Sequence, residues 1–298
     1  MKKILIFIII NMFIFAEAYE LRIETGVLNG VAHEIVYWDE TREMSKLIWP
    51  LDNVKIIELG IKKNISKKYK INISFTNKID SDLVYMEDYD WMNTNDLDNW
   101  THWSISPTEL KELKKINSNI EKEYKKHKYT FSILSGLKYD RYKWIATGGK
   151  RIYYGVEATL PNIPVISYTQ NFYTPYLGLS YGYGENHLVL YSKLLYSPFV
   201  YAHDKDIHHI QNENATNPTV IFEDYFFNGQ YLEGQILINY LIKNQLKLTL
   251  AYEYSHYLKN RGDLVKTVVQ TGDSFEISDC VGIENKTSTI SLGLTYKF

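Results

Sequence analysis

A chain of 298 residues with a formal net charge of −2 gives no support for recognition of nucleic acid or anionic lipid through bulk electrostatics. A lone cysteine, Cys280, excludes a disulfide-stapled secreted domain and reads as a free thiol or a minor packing residue. Aromatic content of 15%, including 26 Tyr, suits a β-barrel whose girdles of aromatic residues meet the membrane interfaces.

In chain order, Met1-Lys2-Lys3 is a short positive start, followed by the apolar run Ile4 to Phe15 and then Ala16-Glu17-Ala18. That is the pattern of a secretory signal peptide with a small-x-small cleavage site, which sets the domains as 1-18 signal peptide and 19-298 mature chain. The apolar run falls short of the ~20 residues that a helix needs to cross a bilayer, and no later window reaches ~18. No Pro/Gly/Ser linker or internal repeat divides the mature chain, so a single domain is expected.

Three long polar connections are expected, at roughly 87–109, 202–220 and 258–286, all rich in Asp, Asn, His and Lys. Leu110, Leu113, Ile116 and Ile120 fall at helical spacing within Thr108 to Lys128. A closed barrel overrides that local propensity, because an unpaired edge in lipid leaves backbone groups unsatisfied. Tyr231 to Tyr240 and Gln245 to Tyr254 alternate apolar with polar residues and are joined by a short turn expected at Leu241-Ile242-Lys243-Asn244. The terminal strand places Ile290, Leu292, Leu294, Tyr296 and Phe298 on one face and small or polar residues on the other. A soluble sandwich also alternates. The signal peptide and terminal aromatic residue favour an outer-membrane barrel, since such barrels commonly end in a strand of this kind that their insertion machinery reads.

Two segments concentrate titratable groups. In Met86-Glu87-Asp88-Tyr89-Asp90-Trp91-Met92 the aspartates are two apart, so on a strand both carboxylates share a face and raise each other's proton affinity. In His203-Asp204-Lys205-Asp206-Ile207-His208-His209, Asp206 and His208 share a face, and a carboxylate beside an imidazole makes an oriented general base. Taken alone, each segment also reads as a solvated loop, and the second offers ligands for a metal. No serine elbow, zinc-binding helix or cysteine-protease signature occurs.

Together the segments resemble the omptin family of outer-membrane aspartate/histidine proteases. The likeness runs through Met86-x-Asp88-x-Asp90-Trp91-Met92, Trp100-Thr101, Tyr191-Ser192 and Asp204-Lys205-Asp206-Ile207-His208, in family order and at similar separations. Leu28-Asn29-Gly30, Glu34-Ile35-Val36-Tyr37, Arg141-Tyr142, Gly148-Gly149 and Pro175 to Leu179 extend it over the mature chain. The resemblance implies an all-β fold, a ten-stranded antiparallel transmembrane barrel with long extracellular loops, and a site on the extracellular side. It implies an endopeptidase in which His208 activates a water, Asp206 orients His208, Asp88 holds the water and Asp90 shares a proton with Asp88. Glu34 and Asp204, with Met86 alongside, would receive an Arg or Lys before the cut, so the implied partners are peptides or proteins with basic residues.

Departures bear on specificity and activation. His102 stands where the family has the acid that favours a basic residue after the cut. No cofactor or metal is implied, with lipopolysaccharide as a candidate activator. Of its binding cluster Arg141 is kept, while Leu137, Tyr139 and Asn171 replace a Tyr, a Glu and an Arg. A non-catalytic barrel acting as adhesin or receptor is the alternative, and a pore is disfavoured because few strands leave a lumen filled by side chains.

Overall fold

The structure is a computed structural model that describes residues 19–96, 98–209 and 219–298. The signal peptide and its cleavage site lie outside the described residues. Among the described residues eleven strands run antiparallel: β1 Tyr19–Tyr37, β2 Glu43–Asn64, β3 Tyr69–Asp80, β4 Val84–Asp90, β5 His102–Lys126, β6 Tyr129–Tyr153, β7 Val156–Glu185, β8 Leu188–His208, β9 Val220–Lys243, β10 Leu246–Val268 and β11 Ser274–Lys297. β1 pairs with both β2 and β11, so the sheet closes on itself. β3 and β4 each lie between β2 and β5, one above the other. Eleven segments therefore occupy ten places around the ring, which reconciles the observed count with the ten strands expected.

Side chains alternate between a lipid face and a filled lumen. On β11, Ile290, Leu292, Leu294 and Tyr296 point outward, while Thr289, Ser291 and Thr295 are buried inside. Of these, the Ser291 hydroxyl donates to the Glu24 carboxylate of the neighbouring β1, as a buried polar group requires, whereas Thr295 Oγ1 is buried without a partner among the described residues. Two aromatic girdles bound the lipid band. Tyr139, Tyr173, Tyr201 and Phe227 touch in sequence across β6 to β9, with centroids 5.0, 5.7 and 5.2 Å apart. At the other end, Tyr129 packs with Tyr181 and Tyr183, and Phe298 stacks on Tyr19. Tyr129 and Tyr139 on β6 are ten residues apart, or about 25 Å along the barrel axis at ~3.3 Å per residue and ~40° tilt, the height of an outer-membrane apolar band.

One sequence expectation holds against local propensity, and others need correction. The segment Thr108 to Lys128 lies mostly in β5, and its helix-like spacing arises from a bulge between Leu110 and Glu112. The extra residue flips the pleat, so Leu110 and Leu113 are both buried while Ile116 and Ile120 face outward. The three connections are shorter than expected: β4 reaches Asp90 and β5 begins at His102, β8 reaches His208 and β9 begins at Val220, and only 269–273 separates β10 from β11. The turn expected at 241–244 sits at Asn244-Gln245.

The lumen is packed in layers. Trp49, Trp144 and Tyr168 are fully buried with centroids 5.1 to 5.9 Å apart, and form a floor. Deeper, Lys138 bonds Glu233 at 2.7 Å and also Tyr231, while Tyr257 donates to Asp140 at 2.9 Å. Charge pairing across the lumen meets the desolvation that isolated charges would suffer.

Candidate active site

Above the aromatic floor the strands outrun the membrane. His208 lies seven residues beyond the girdle residue Tyr201 on β8, roughly 18 Å above it by the same geometry. A cavity of about 830 Å³ opens here, lined by Glu34, Met86, Asp88, Asp90, Asp206 and His208 among others.

Each wall is set by local structure. A bulge between Ser197 and Val200 turns Val200, Ala202, Asp204 and Asp206 inward, and the same pleat brings His208 to the cavity. Opposite, β4 carries Val84, Met86, Asp88 and Asp90 on its inner face, with Ser45 of β2 opposite Asp90 and Ser104 of β5 opposite Asp88. Met86 is anchored by its backbone N–H, which donates to Thr108 Oγ1 at 3.2 Å. Thr108 donates in turn to the carbonyl of Ser106, and the Ser106 hydroxyl donates to that of Gly148 at 2.7 Å. Gly149 follows with φ +112, and a Cβ there would stand 2.0 Å from the Ile105 carbonyl oxygen, so only glycine lets β6 approach β5 this closely.

His208 Nε2 and Asp206 Oδ2 are 2.6 Å apart. Burial pulls the imidazole toward neutrality, but the carboxylates of Asp206, Asp88 and Asp90 together outweigh it and hold the pKa above 6.5. Burial also pushes Asp88 up, reinforced by Asp90, to about 8, so Asp88 carries a proton at neutral pH. Asp90 is raised as well, chiefly by burial. Ser45 Oγ reaches Asp88 Oδ1 at 3.4 Å.

Beside these groups lies a second acidic cluster. Glu34, Asp204 and Asp224 are buried, and the proton affinity of each is driven well up by burial and then by its acidic neighbours. Glu34 and Asp224 face the cavity, whereas Asp204 sits behind and accepts a hydrogen bond from Tyr168 at 2.7 Å. Glu34 Oε2, Asp204 Oδ1, Asp206 Oδ1 and Asp224 Oδ1 are buried with no hydrogen-bond donor. Asp224 was not singled out in the sequence because Val220 to Phe226 adjoins a segment read as loop; the alternation Val220, Phe222, Asp224, Phe226 was its signal.

The remaining singled-out residues lie apart. His203 and His209 take the opposite pleat from Asp204, Asp206 and His208, with His203 packed on Tyr225 at 5.0 Å and His209 bonded to Ser167 at 2.9 Å. The three imidazoles therefore do not converge on one point. His102 pairs with Asp90 across β4 and β5 and sits edge-on to Tyr153 and Tyr154, with centroids 4.4 and 4.9 Å away. Arg141 is two residues above the girdle residue Tyr139 and binds Asn171 at 2.9 Å and Glu112 at 3.1 Å.

Comparison with known proteins agrees with this architecture. The Omptin family profile matches residues 16–298. The plasminogen activator of Yersinia pestis is 30% identical over 290 residues, 95% of this chain and 90% of that protein. Outer membrane protease OmpP of Escherichia coli K12 is 26% identical, covering 95% and 91% of the two chains. The crystal structure of outer membrane protease OmpT from Escherichia coli superposes with a TM-score of 0.88 at 23% identity, over 95% of this chain and 97% of that one, a likeness of fold. The chain thus belongs to the omptin family, an outer-membrane barrel whose cavity opens to the extracellular side.

Proposed function

We propose that this omptin is an endopeptidase that cuts after Arg or Lys by attack of a water molecule, with the Asp206-His208 pair as base and the Asp88-Asp90 pair opposite. The observation that carries the reading is the 2.6 Å contact between Asp206 and His208 in a cavity shared with Asp88 and Asp90. With Nε2 engaged by Asp206, Nδ1 of His208 takes the proton of the water as its oxygen attacks the scissile carbonyl carbon. The same nitrogen then returns the proton to the departing amine. Asp88, protonated at neutral pH, holds the water and donates to the oxyanion, and Asp90 shares its proton. No covalent acyl intermediate is required.

The buried carboxylates Glu34 and Asp204, with Met86 alongside, support a basic residue before the cut, since acids buried at this end of the cavity attract a guanidinium or ammonium. After the cut, the imidazole and phenol rings of His102, Tyr153 and Tyr154 offer a surface for aromatic or aliphatic side chains rather than for a cation. On the outer wall, Arg141 stands just above the girdle and supplies one cation for lipopolysaccharide phosphate, so we assign any activation by that lipid a weaker grip than a full cationic cluster gives. The test is mass-spectrometric mapping of fragments from a peptide with a single Arg, alongside the same peptide with citrulline. Cleavage after Arg, none at citrulline, and no formation of transfer product with added glycinamide are expected. Equal cleavage of both peptides, or efficient transfer, refutes the scheme.

A further inference from the structure

We propose that Asp224, together with Glu34, receives the substrate's basic side chain, and that Asp204 stands behind it, sharing with it a proton that leaves as the cation arrives. The proposal rests on the endopeptidase reading and deepens it by moving the contact from Asp204 to Asp224. Glu34 and Asp224 line the cavity, and Asp204 does not. Asp204 and Asp224 are directly opposite in the pairing of β8 with β9, and both are at most 1% exposed.

Each carries an Oδ1 with no donor. Two carboxylate oxygens can lie side by side in a dry wall only with a proton between them, because two bare anions repel. That proton is bonded within the pair, and Tyr168 already donates to the other oxygen of Asp204. Glu34 Oε2, also donor-less and buried, completes an acceptor set that lacks a cation.

The other charged groups nearby leave it unfilled. From β8, Asp206 faces the pair, and from β11 Cys280 does. From β10, Lys266 lies over the Phe222 ring and Arg261 is held by Asp279 and by backbone carbonyls of the loop between β1 and β2. An arriving guanidinium supplies the missing donors, and the shared proton, no longer needed, passes to solvent. Binding would therefore release a proton near neutral pH.

The experiment is titration calorimetry of the refolded full chain in detergent with benzamidine, an amidinium probe, at pH 7 in two buffers of different ionisation enthalpy. The wild type is expected to release a fraction of a proton up to one per ligand bound. Asp224→Asn should bind roughly ten- to hundred-fold more weakly, the loss of one charge-assisted bond, with the release abolished. Asp224→Glu should recover part of the affinity. Unchanged affinity and release in Asp224→Asn, in a barrel whose heat-modifiable gel shift shows it folded, overturns the proposal, as does a wild type that does not bind benzamidine. The two readings separate: a wild type that binds the probe through Asp224 yet cuts no peptide sinks the endopeptidase reading, whereas one that cuts after Arg with KM untouched by Asp224→Asn sinks this inference alone.

Discussion

Replacing Asp206 by Asn keeps the shape of the catalytic pair and removes its charge, so its effect can be worked through from the geometry. The Asp206 side chain is 2% exposed and the His208 side chain 33%. A charge-assisted hydrogen bond is worth about 1.5 to 3 kcal/mol, and the partial opening of His208 to water places this one near the lower end. At 1.36 kcal/mol per unit, the imidazole loses roughly one pKa unit. The direction follows from the opposing influences on His208: burial lowers its pKa and the carboxylates raise it, so deleting the nearest carboxylate lets burial win. A base works only when deprotonated, so wild-type kcat/KM should rise with pH through a value above 6.5, and in Asp206→Asn that limb should move to lower pH. The plateau should nonetheless fall at least ~100-fold, because the amide no longer steadies the imidazolium or fixes its tautomer. The assay is the pH profile of fluorogenic peptide cleavage, with His208 titrated by NMR in micelles. A variant whose His208 titrates at or above the wild-type value would refute the reasoning.

Further outcomes follow from the same wall of residues. Asp90 is the second-largest influence holding Asp88 near 8, so Asp90→Asn should shift the falling limb of the pH profile to lower pH, and a limb that stays in place would argue against a shared proton. His102→Asp should favour peptides with Lys after the cut by roughly fivefold, about the worth of one exposed charge pair, with an unchanged preference in product mapping counting against His102 as a contact. Trp49→Ala should remove the centre of the aromatic floor and cost about 3 to 5 kcal/mol, read as a lower urea midpoint in micelles. A midpoint within error of wild type would mean that the floor is not packed as described.

The strands legible in the sequence are those bathed in lipid on one face, where the contrast between faces is greatest, as in Ile290 to Phe298. Above the upper girdle the same strands stand in water on their outer side. Their polar residues then resemble loops, which is why 202–220 and 258–286 read as connections although β8 runs on to His208 and β10 and β11 take up most of 258–286. Bulges hide the pattern differently, since one extra residue near Lys111 turned a strand into an apparent helical spacing. The Asp88-Asp90 and Asp206-His208 pairs were legible because their spacing of two matches the strand period, whether or not the segment looks like a loop. Asp224 pairs with a residue on another strand, and that register is set by the fold rather than by local spacing.

The central claim, that the Asp206-His208 pair and the Asp88-Asp90 pair across the cavity hydrolyse peptides, is most directly tested on intact cells. Cleavage of a fluorogenic Arg-Arg peptide would be compared for wild type, His208→Ala and Asp88→Asn, at equal surface expression and with and without added lipopolysaccharide. The wild type should cleave, and each variant should lose at least ~100-fold, the scale of a general-base contribution. Variants as active as wild type, or a wild type inactive under both conditions, would contradict it.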